Sequence, residues 1–456
     1  MNAYDDPAEP VELGASIFVE VNHNLVSAAK RLGLVVSSAA EGGRRVKGEP
    51  SDVLGIYDGE RMLFSAPEGG WWSMAKLIYR YGPMAPWRIQ KLAESTVSKF
   101  LGMYQAPVFP FASLSQAVQD TGLQPIAGVT GLQYLEANGV MGRFAQELVQ
   151  ASTRVNYGQN LGLIHGVETM VCMSTDGAMS VQGGNWRIFH GMVNSSDADL
   201  KLQTAVTALS RDDDSQEWTV TYKSELKGGA VKEEIYDAVV LAGPLQYAHL
   251  AIEPALEKTP DVIPYAAVHV TLFASPRRLD PAYFGLGAGQ LVPQTVLTTL
   301  TKAEQADEKV MRGEGKDAVG SVGFFSVSTL RSVSRPPNDS VEFLYKVFSP
   351  EEFGDEKVKQ MLGCTAGEQE GGEAITWMHR HVWNAYPYEY PRVTFEDIKL
   401  APGLWYTAGM ESFISAMETS SLMGMNVARL VVDEWEAEKK QKEGSEEKKV
   451  ESNSEL

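Results

Sequence analysis

Strand-rich stretches return three times along this chain, at its start, in its middle and near its end, with long helical or mixed stretches between them. That alternation demands one α/β domain assembled from sequence-distant pieces, with a second domain built from the insertions. The 456 residues suffice for two or three domains, and 44% apolar residues allow a large buried core.

The first piece runs from an extended segment into a turn at Val11-Glu12-Leu13-Gly14-Ala15-Ser16. A helix follows at about Asn24–Leu32, with Leu25, Ala28, Ala29 and Leu32 at helical spacing. Leu54 to Phe64 reads as a hairpin with Asp58-Gly59 at its turn. The spacing predicts helices from about Trp71 to Tyr104, interrupted at Pro83 and Pro86, and another helical block over about Ser113–Val155. Strand patterns return at Lys201–Ser210, Trp218–Ser224 and Glu234–Ala242. The last closes in Val239-Val240-Leu241-Ala242-Gly243-Pro244, an apolar run ended by Gly-Pro that suits a buried parallel strand. Ala266–Phe273 alternates like a strand, and Lys302–Gly320 and Gly363–Gly372 read as surface loops. Leu404–Ala408 reads as a strand and about Ser412–Glu434 as a helix. The charged tail Ala437–Leu456 holds few apolar residues and is expected to be disordered.

A net charge of −19 argues against a nucleic-acid partner, whose footprint is a basic patch. Cys172 and Cys364 are too few for a disulfide framework or a Cys-rich metal site. His379 and His381 share a strand face without acids at ligand spacing, so no metal is expected. No window reaches about 18 uninterrupted apolar residues, so no transmembrane segment is expected. Met1 leads into an acidic stretch rather than a signal peptide. The sequons at Asn194 and Asn338 would be glycosylated only in a secretory lumen. Trp71, Trp72 and Trp87, with the Tyr and Met residues between them, could line a lipid tunnel, make a peripheral membrane contact, or pack an ordinary core.

Val181-Gln182-Gly183-Gly184-Asn185-Trp186 is a strand end, paired glycines and a helix start, a place for backbone to approach a ligand. Alone it equally describes a tight turn. The succession of strands after it, through Ala242-Gly243-Pro244, resembles the amine-oxidase-like flavoproteins. That resemblance implies FAD, with backbone near Val206 at the adenine and the Gly243 turn beside the nucleotide. Gly409 and Glu411 follow the strand Leu404–Ala408, and the helix start at Ser415-Ala416-Met417 follows them. The resemblance places Gly409 and Glu411 near the ribityl or pyrophosphate, and Ala416 and Met417 at the flavin pyrimidine edge, where a helix N-terminus stabilises negative charge. A helix-start acid favoured by the dipole is the plainer account of Glu411. Glu12-Leu13-Gly14-Ala15-Ser16 resembles the Glu-x-Gly-Gly-Ser turn packed near the isoalloxazine, with Ala15 in place of the second Gly.

More particular stretches are Leu54–Gly59, Tyr79-Arg80-Tyr81-Gly82, Arg154-Val155-Asn156-Tyr157-Gly158-Gln159, Val181–Asn185 and Ser415–Glu418. In this order and spacing they resemble the prenylcysteine oxidase (prenylcysteine lyase) family from about Glu9 to Trp435. The implied fold is α/β: a two-domain FAD-dependent amine-oxidase-like fold with an incomplete Rossmann-type FAD domain and an inserted α+β substrate domain. The expected FAD domain comprises residues 1–65, 175–260 and 396–436, the prenyl-binding domain 66–174 and 261–395, and the tail 437–456. The separated glycine turns are expected to converge on one cavity.

The Gly-x-Gly-x-x-Gly loop of a dinucleotide fold would lie before Gly14 and is not found. Gly285-Leu286-Gly287-Ala288-Gly289-Gln290 ends in Gln290 and follows no buried strand, and Gly313–Lys316 follows charged sequence. An incomplete chain is the preferred explanation and a shortened, FAD-free, lipid-binding remnant the alternative. For the chain as written, FAD binding is expected to be weak or absent.

The family implies the reaction of prenyl-S-cysteine (farnesyl- or geranylgeranylcysteine) with molecular oxygen and water to give prenyl aldehyde, cysteine and hydrogen peroxide, in a lysosome- or vacuole-like lumen. No nucleophilic triad stands out, and none is needed: the carbon beside sulfur is allylic, so hydride loss to the flavin is eased. A farnesyl tail could contribute on the order of 10 kcal/mol before ordering costs, and its tunnel is sought among Trp71–Tyr104 and the strands after Ala266. Arg154, Tyr157 and Gln159 could hold the cysteine carboxylate or the flavin, or form a structural turn. No catalytic base is named. Another oxidase of amine-oxidase type, acting on amines or polyenes, is the remaining alternative.

Overall fold

A computed structural model describes residues 10–38, 53–67, 71–174, 177–225, 229–335, 340–364 and 373–454. The chain divides into two compact units. The first comprises residues 1–98, 125–197 and 263–392, and the second 99–124, 198–262 and 393–456. The expected division grouped 1–65 with 175–260 and 396–436. The backbone ladder explains the different grouping. The predicted hairpin is β2 (Val53–Tyr57) and β3 (Met62–Pro67), and β2 pairs in parallel with β11 (Thr295–Thr298), inside the larger sheet. Asp58 holds the hairpin turn by accepting from the backbone N–H of Glu60 and Arg61 at 3.0 and 2.9 Å, and Gly59 takes the positive φ of 93° that the turn requires.

The first unit is built on a seven-stranded sheet that adds β10 (Tyr265–Ser275), β12 (Ser326–Arg335), β13 (Ser340–Ser349) and β14 (Trp377–Pro387). Its order is β14-β10-β13-β12-β11-β2-β3, antiparallel except for β11 beside β2. Alternation along β13 sends Tyr345 and Val347 to one face, where they join Phe273, Phe284, Phe324 and Phe353 in a core. The opposite face carries Val268, Val270, Leu272, Ala274 and Leu344, and Val11 and Leu13 pack against it. A separate pair, β1 (Val36–Ser38) with β4 (Met179–Val181), is antiparallel.

Helices flank this sheet. Pro83 separates Trp71–Tyr81 from Met84–Leu101, whereas Pro86 lies in the first turn of the second helix, where its missing N–H breaks nothing. The predicted loop at 302–320 is instead three short helices, Lys302–Ala306, Glu308–Met311 and Lys316–Val319. Thr301 and Glu304 form a capping box and Asp307 caps the second helix, a signal present in the sequence. The glycine-rich 285–289 run follows a four-residue 3-10 turn capped by Gly285. Most of the 363–372 stretch lies outside the described residues.

The second unit holds two sheets. One orders β7 (Val231–Tyr236), β6 (Trp218–Ser224), β5 (Thr204–Arg211) and β9 (Ala251–Glu253). The other orders β15 (Lys399–Ala401), β16 (Leu404–Tyr406) and β8 (Val239–Leu241), with β16 parallel to β8. Trp218 is fully buried with Leu209 and Leu404, and its indole donates to the Pro402 carbonyl at 3.0 Å. The strand predicted over 234–242 is two strands, β7 and β8, in different sheets. β8 is parallel as expected but not buried: it is the outer strand of its sheet, and Val240 is 46% exposed. The final helix runs from Met417 to Ser454, through the segment expected to be disordered. Its Glu, Lys and Ala content favours helix even where no core is available.

Candidate functional site

In the first unit the structure brings together two of the predicted turns, Gly14-Ala15-Ser16 and Gly183-Gly184. Asn185 and Glu12 join them. The Asn185 backbone N–H donates to Glu12 Oε1 at 2.6 Å. The Asn185 side chain donates to the Ala15 carbonyl at 2.8 Å and accepts from the Val181 N–H at 2.9 Å. Burial raises the Glu12 carboxyl above its ordinary range, and the N–H donors of Asn185 and Trp186 pull against that rise. The glycines are needed sterically. A Cβ on Gly14 would lie 3.1 Å from the Trp383 ring, and Gly184, at φ 105°, would place one 2.6 Å from Trp186. Ala15 has φ 52°, the left-handed region where glycine is easier, which accounts for the Gly-Gly form of the turn that this chain resembles.

Lys346, on β13, lies beside this pair of turns and was not foreseen. Its ammonium donates to Ser16 Oγ at 3.2 Å and to the Glu12 carbonyl at 3.4 Å. Burial pushes its pKa down to about 8, against the attraction of Glu12. Register explains its setting. Leu272 stands opposite both Lys346 and His379, Val270 opposite Phe348 and His381, and Val268 opposite Trp383, so these side chains share one face. Trp377, His379, His381 and Trp383 form a ring ladder along β14, with centroid spacings of 6.4, 6.4 and 5.5 Å. Burial, then the neighbouring His381, holds His379 below its usual range. The signal in sequence is a lysine flanked at two-residue spacing by Leu344 and Phe348, with Glu342 the other charge on the same stripe.

In the second unit Gly243 and Gly409 follow the neighbouring parallel strands β8 and β16, and the Thr407 N–H donates to the Leu241 carbonyl at 3.1 Å. Ligands of α/β sheets bind at such carboxyl ends. A Cβ on Gly243 would meet nothing within 4 Å, whereas one on Gly409 would press Glu396 at 2.8 Å. Glu411 is half-buried in the turn Ala408–Ser412. The Ala416 N–H is taken by Thr419 Oγ1 at 3.2 Å, just before the helix that starts at Met417. Val206 is 42% exposed on β5, beyond the Ala208–Ser210 stretch that β9 covers.

Arg154, Tyr157 and Gln159 are all buried and bonded or packed within the protein. Arg154 is fully buried and all five of its N–H groups are used. Nε donates to the Thr298 carbonyl at 3.0 Å, and Nη1 to Asn160 Oδ1 and the Ala318 carbonyl at 2.9 and 3.0 Å. Nη2 donates to Thr298 Oγ1 and the Val319 carbonyl at 3.1 and 2.8 Å. No donor remains for a substrate carboxylate. Gln159 bonds the Pro387 carbonyl and the Glu389 N–H, both at 2.9 Å, and Tyr157 packs edge-on against Tyr386. A cavity of about 100 Å³ beside Arg278 and Phe343 is far too small for a fifteen-carbon chain. Among the described residues no cluster of His, Cys, Asp or Glu could hold a metal, and no helix is long and apolar enough to cross a membrane.

Comparison with solved structures shows the fold. Cyclohexylamine oxidase from Brevibacterium oxydans superposes with a TM-score of 0.52 at 14% identity, over 95% of this chain and 90% of that one. Putrescine oxidase bound to putrescine gives 0.52 at 11% identity, over 93% and 88%. The chain therefore has the mixed, two-domain fold of the amine oxidases. Farnesylcysteine lyase of Arabidopsis thaliana is 26% identical over 442 residues, 93% of this chain and 77% of that protein. Prenylcysteine oxidase 1 of Homo sapiens is 25% identical over 457 residues, 93% of this chain and 79% of that protein. The sequence profile of the prenylcysteine lyase family matches residues 64–444, and with most of its length inside that match the chain belongs to this family.

Proposed function

We propose that this chain is a flavin-dependent oxidase that cleaves the thioether of a prenyl-S-cysteine, with oxygen and water, to a prenyl aldehyde, cysteine and hydrogen peroxide. The observation that carries the reading is a family match spanning residues 64–444. The structure supports it with a half-buried lysine beside paired glycine turns and against an apolar sheet face.

Two features of this chain fit a flavin: the open space at Gly243 after the exposed strand β8, and the coupled turns at Gly14 and Gly184. In the first unit Gly14, Ala15, Ser16, Gly183 and Gly184 are the proposed flavin contacts. In the second unit they are Val206, Gly243, Gly409, Glu411, Ala416 and Met417. A bound flavin supplies the two-electron acceptor for the allylic C–H.

The rest falls to side chains. Phe348 and Trp383, both half-buried beside Lys346, offer an apolar surface for the prenyl chain, with water excluded in proportion to the methylenes covered. Lys346, with a pKa near 8, can hold or release a proton at Nζ near neutral pH, the range in which general acid–base groups work best. Ser16 Oγ and the Glu12 carbonyl fix where that amine points.

The test is turnover of farnesylcysteine by the protein supplied with FAD, following farnesal, thiol and peroxide together. Equal yields of the three are expected. Turnover of putrescine without turnover of farnesylcysteine would move the assignment to amines, and no flavin uptake with retained farnesylcysteine binding would leave a lipid-binding protein.

A further inference from the structure

Lys346 sets a primary amine against aromatic carbon. Its Nζ lies over the Phe348 ring, 5.0 Å from the centroid. Trp383 stands on the same sheet face, with its ring against the Gly14 turn, where a Cβ would approach it to 3.1 Å. Both rings are half-buried, so each keeps part of its surface open to solvent. An apolar molecule that covers these rings is thereby brought to the amine.

The neighbours orient that amine and leave it reactive. Two of its N–H directions are taken, by Ser16 Oγ at 3.2 Å and by the Glu12 carbonyl at 3.4 Å. The charged and titratable groups on the same side are Glu12 on the segment before Ser16, Arg331 on β12, Glu342 on its own strand, and His379 and His381 on β14. Glu12 favours the ammonium, burial disfavours it, and burial prevails, so the pKa falls to about 8. At pH 7 about a tenth of the amine is then neutral, against less than about a thousandth for an exposed lysine of ordinary pKa. A lysine depressed by apolar surroundings is the kind that adds to carbonyl carbon.

We propose that Lys346 is a site of reversible covalent capture of apolar aldehydes, held as an imine on Nζ, with the prenyl aldehyde as the aldehyde met in turnover. That last identification rests on the proposed reaction, whereas the capture itself does not. In the step the Nζ lone pair forms a C–N bond at the aldehyde carbon, and the carbonyl π pair moves to oxygen. The C–O bond then breaks, and the oxygen departs as water carrying both hydrogens of the neutral amine, which leaves C=N. No oxidant or reductant takes part. Ser16 Oγ, which accepts from the amine, can pass one of those protons to the departing oxygen. The adduct retains product in the site, so turnover slows as aldehyde accumulates and recovers when water reverses the imine.

The test is labelling of the full chain at pH 7 with farnesal or with glycolaldehyde, each with cyanoborohydride to fix the imine, followed by peptide mapping. Farnesal should label Lys346 at least about tenfold faster than the exposed Lys76 and Lys232, with a mass gain of the aldehyde less one oxygen. Glycolaldehyde, which gains nothing from the aromatic surface, should narrow that ratio severalfold. Labelling is read without turnover, so its failure is separate from a failure to oxidise farnesylcysteine. Even labelling across the three lysines, the same ratio with both aldehydes, or a farnesal adduct that keeps its oxygen, the mark of addition to the alkene carbon, would each overturn the proposal.

Discussion

Lys346→Met separates the cost of a site from its use. The folded protein holds this amine at a pKa of about 8 instead of its usual 10.5, because burial disfavours the charged form. Each pH unit of such depression is worth about 1.4 kcal/mol, so the ammonium costs the fold on the order of 3 kcal/mol at pH 7. Methionine removes that cost but forfeits the bonds to Ser16 and Glu12, about 1–2 kcal/mol together. The variant should be more stable than the parent at pH 7 by about 1–2 kcal/mol. The parent's penalty is full below pH 8 and fades as pH rises from about 8 to 10.5, where the folded protein has lost a proton that the unfolded chain still holds. The parent therefore gains on the variant across that window and overtakes it near its top. Thermal unfolding of both proteins at pH 7, 8.5 and 10 reads this directly. Turnover of farnesylcysteine by the variant should fall about 100-fold or more. A variant less stable at pH 7, or a difference that does not move with pH, would refute the buried-charge reasoning.

Two further predictions concern residues that hold the fold or join its turns. Arg154→Met should strip the buried carbonyls of Thr298 and Val319 of a charged donor and cost about 2–6 kcal/mol, seen as a lowered unfolding midpoint; the folded fraction should keep its KM for farnesylcysteine, since no donor of Arg154 is free for substrate. Asn185→Ala should orphan the Val181 N–H and the Ala15 carbonyl, costing about 2–4 kcal/mol, and should weaken flavin retention on a desalting column more than Arg154→Met does.

Local grammar was the readable part of this chain. Asp58-Gly59 marked its hairpin, the spacing of Leu25, Ala28 and Ala29 marked the helix His23–Arg31, and the alternation after Ala266 marked β10. Long-range pairing was not readable. Nothing local says that Leu54 lies beside Thr295 in parallel, or that Val239–Leu241 ends a sheet and leaves Val240 in solvent. The same gap hid the site. Arg154 and Gln159 are polar residues in a short motif, which suggests chemistry, yet their partners at Thr298, Ala318, Val319 and Pro387 are far along the chain. Lys346 and Asn185 were legible only as types, because their meaning comes from Ser16, Glu12 and Ala15 more than 150 residues away.

The Arg154 guanidinium also constrains the order of events during synthesis. Its bond to Val319 closes a separation of 165 residues, and its bonds to Thr298 one of 144. Until the ribosome has released Val319, this cation has only water or incomplete partners, and sealing it into an apolar interior is prohibitive. The region around the helix Gln150–Tyr157 must therefore stay open to solvent while more than a third of the protein is being made, a long interval in which a nascent chain needs shelter from its neighbours.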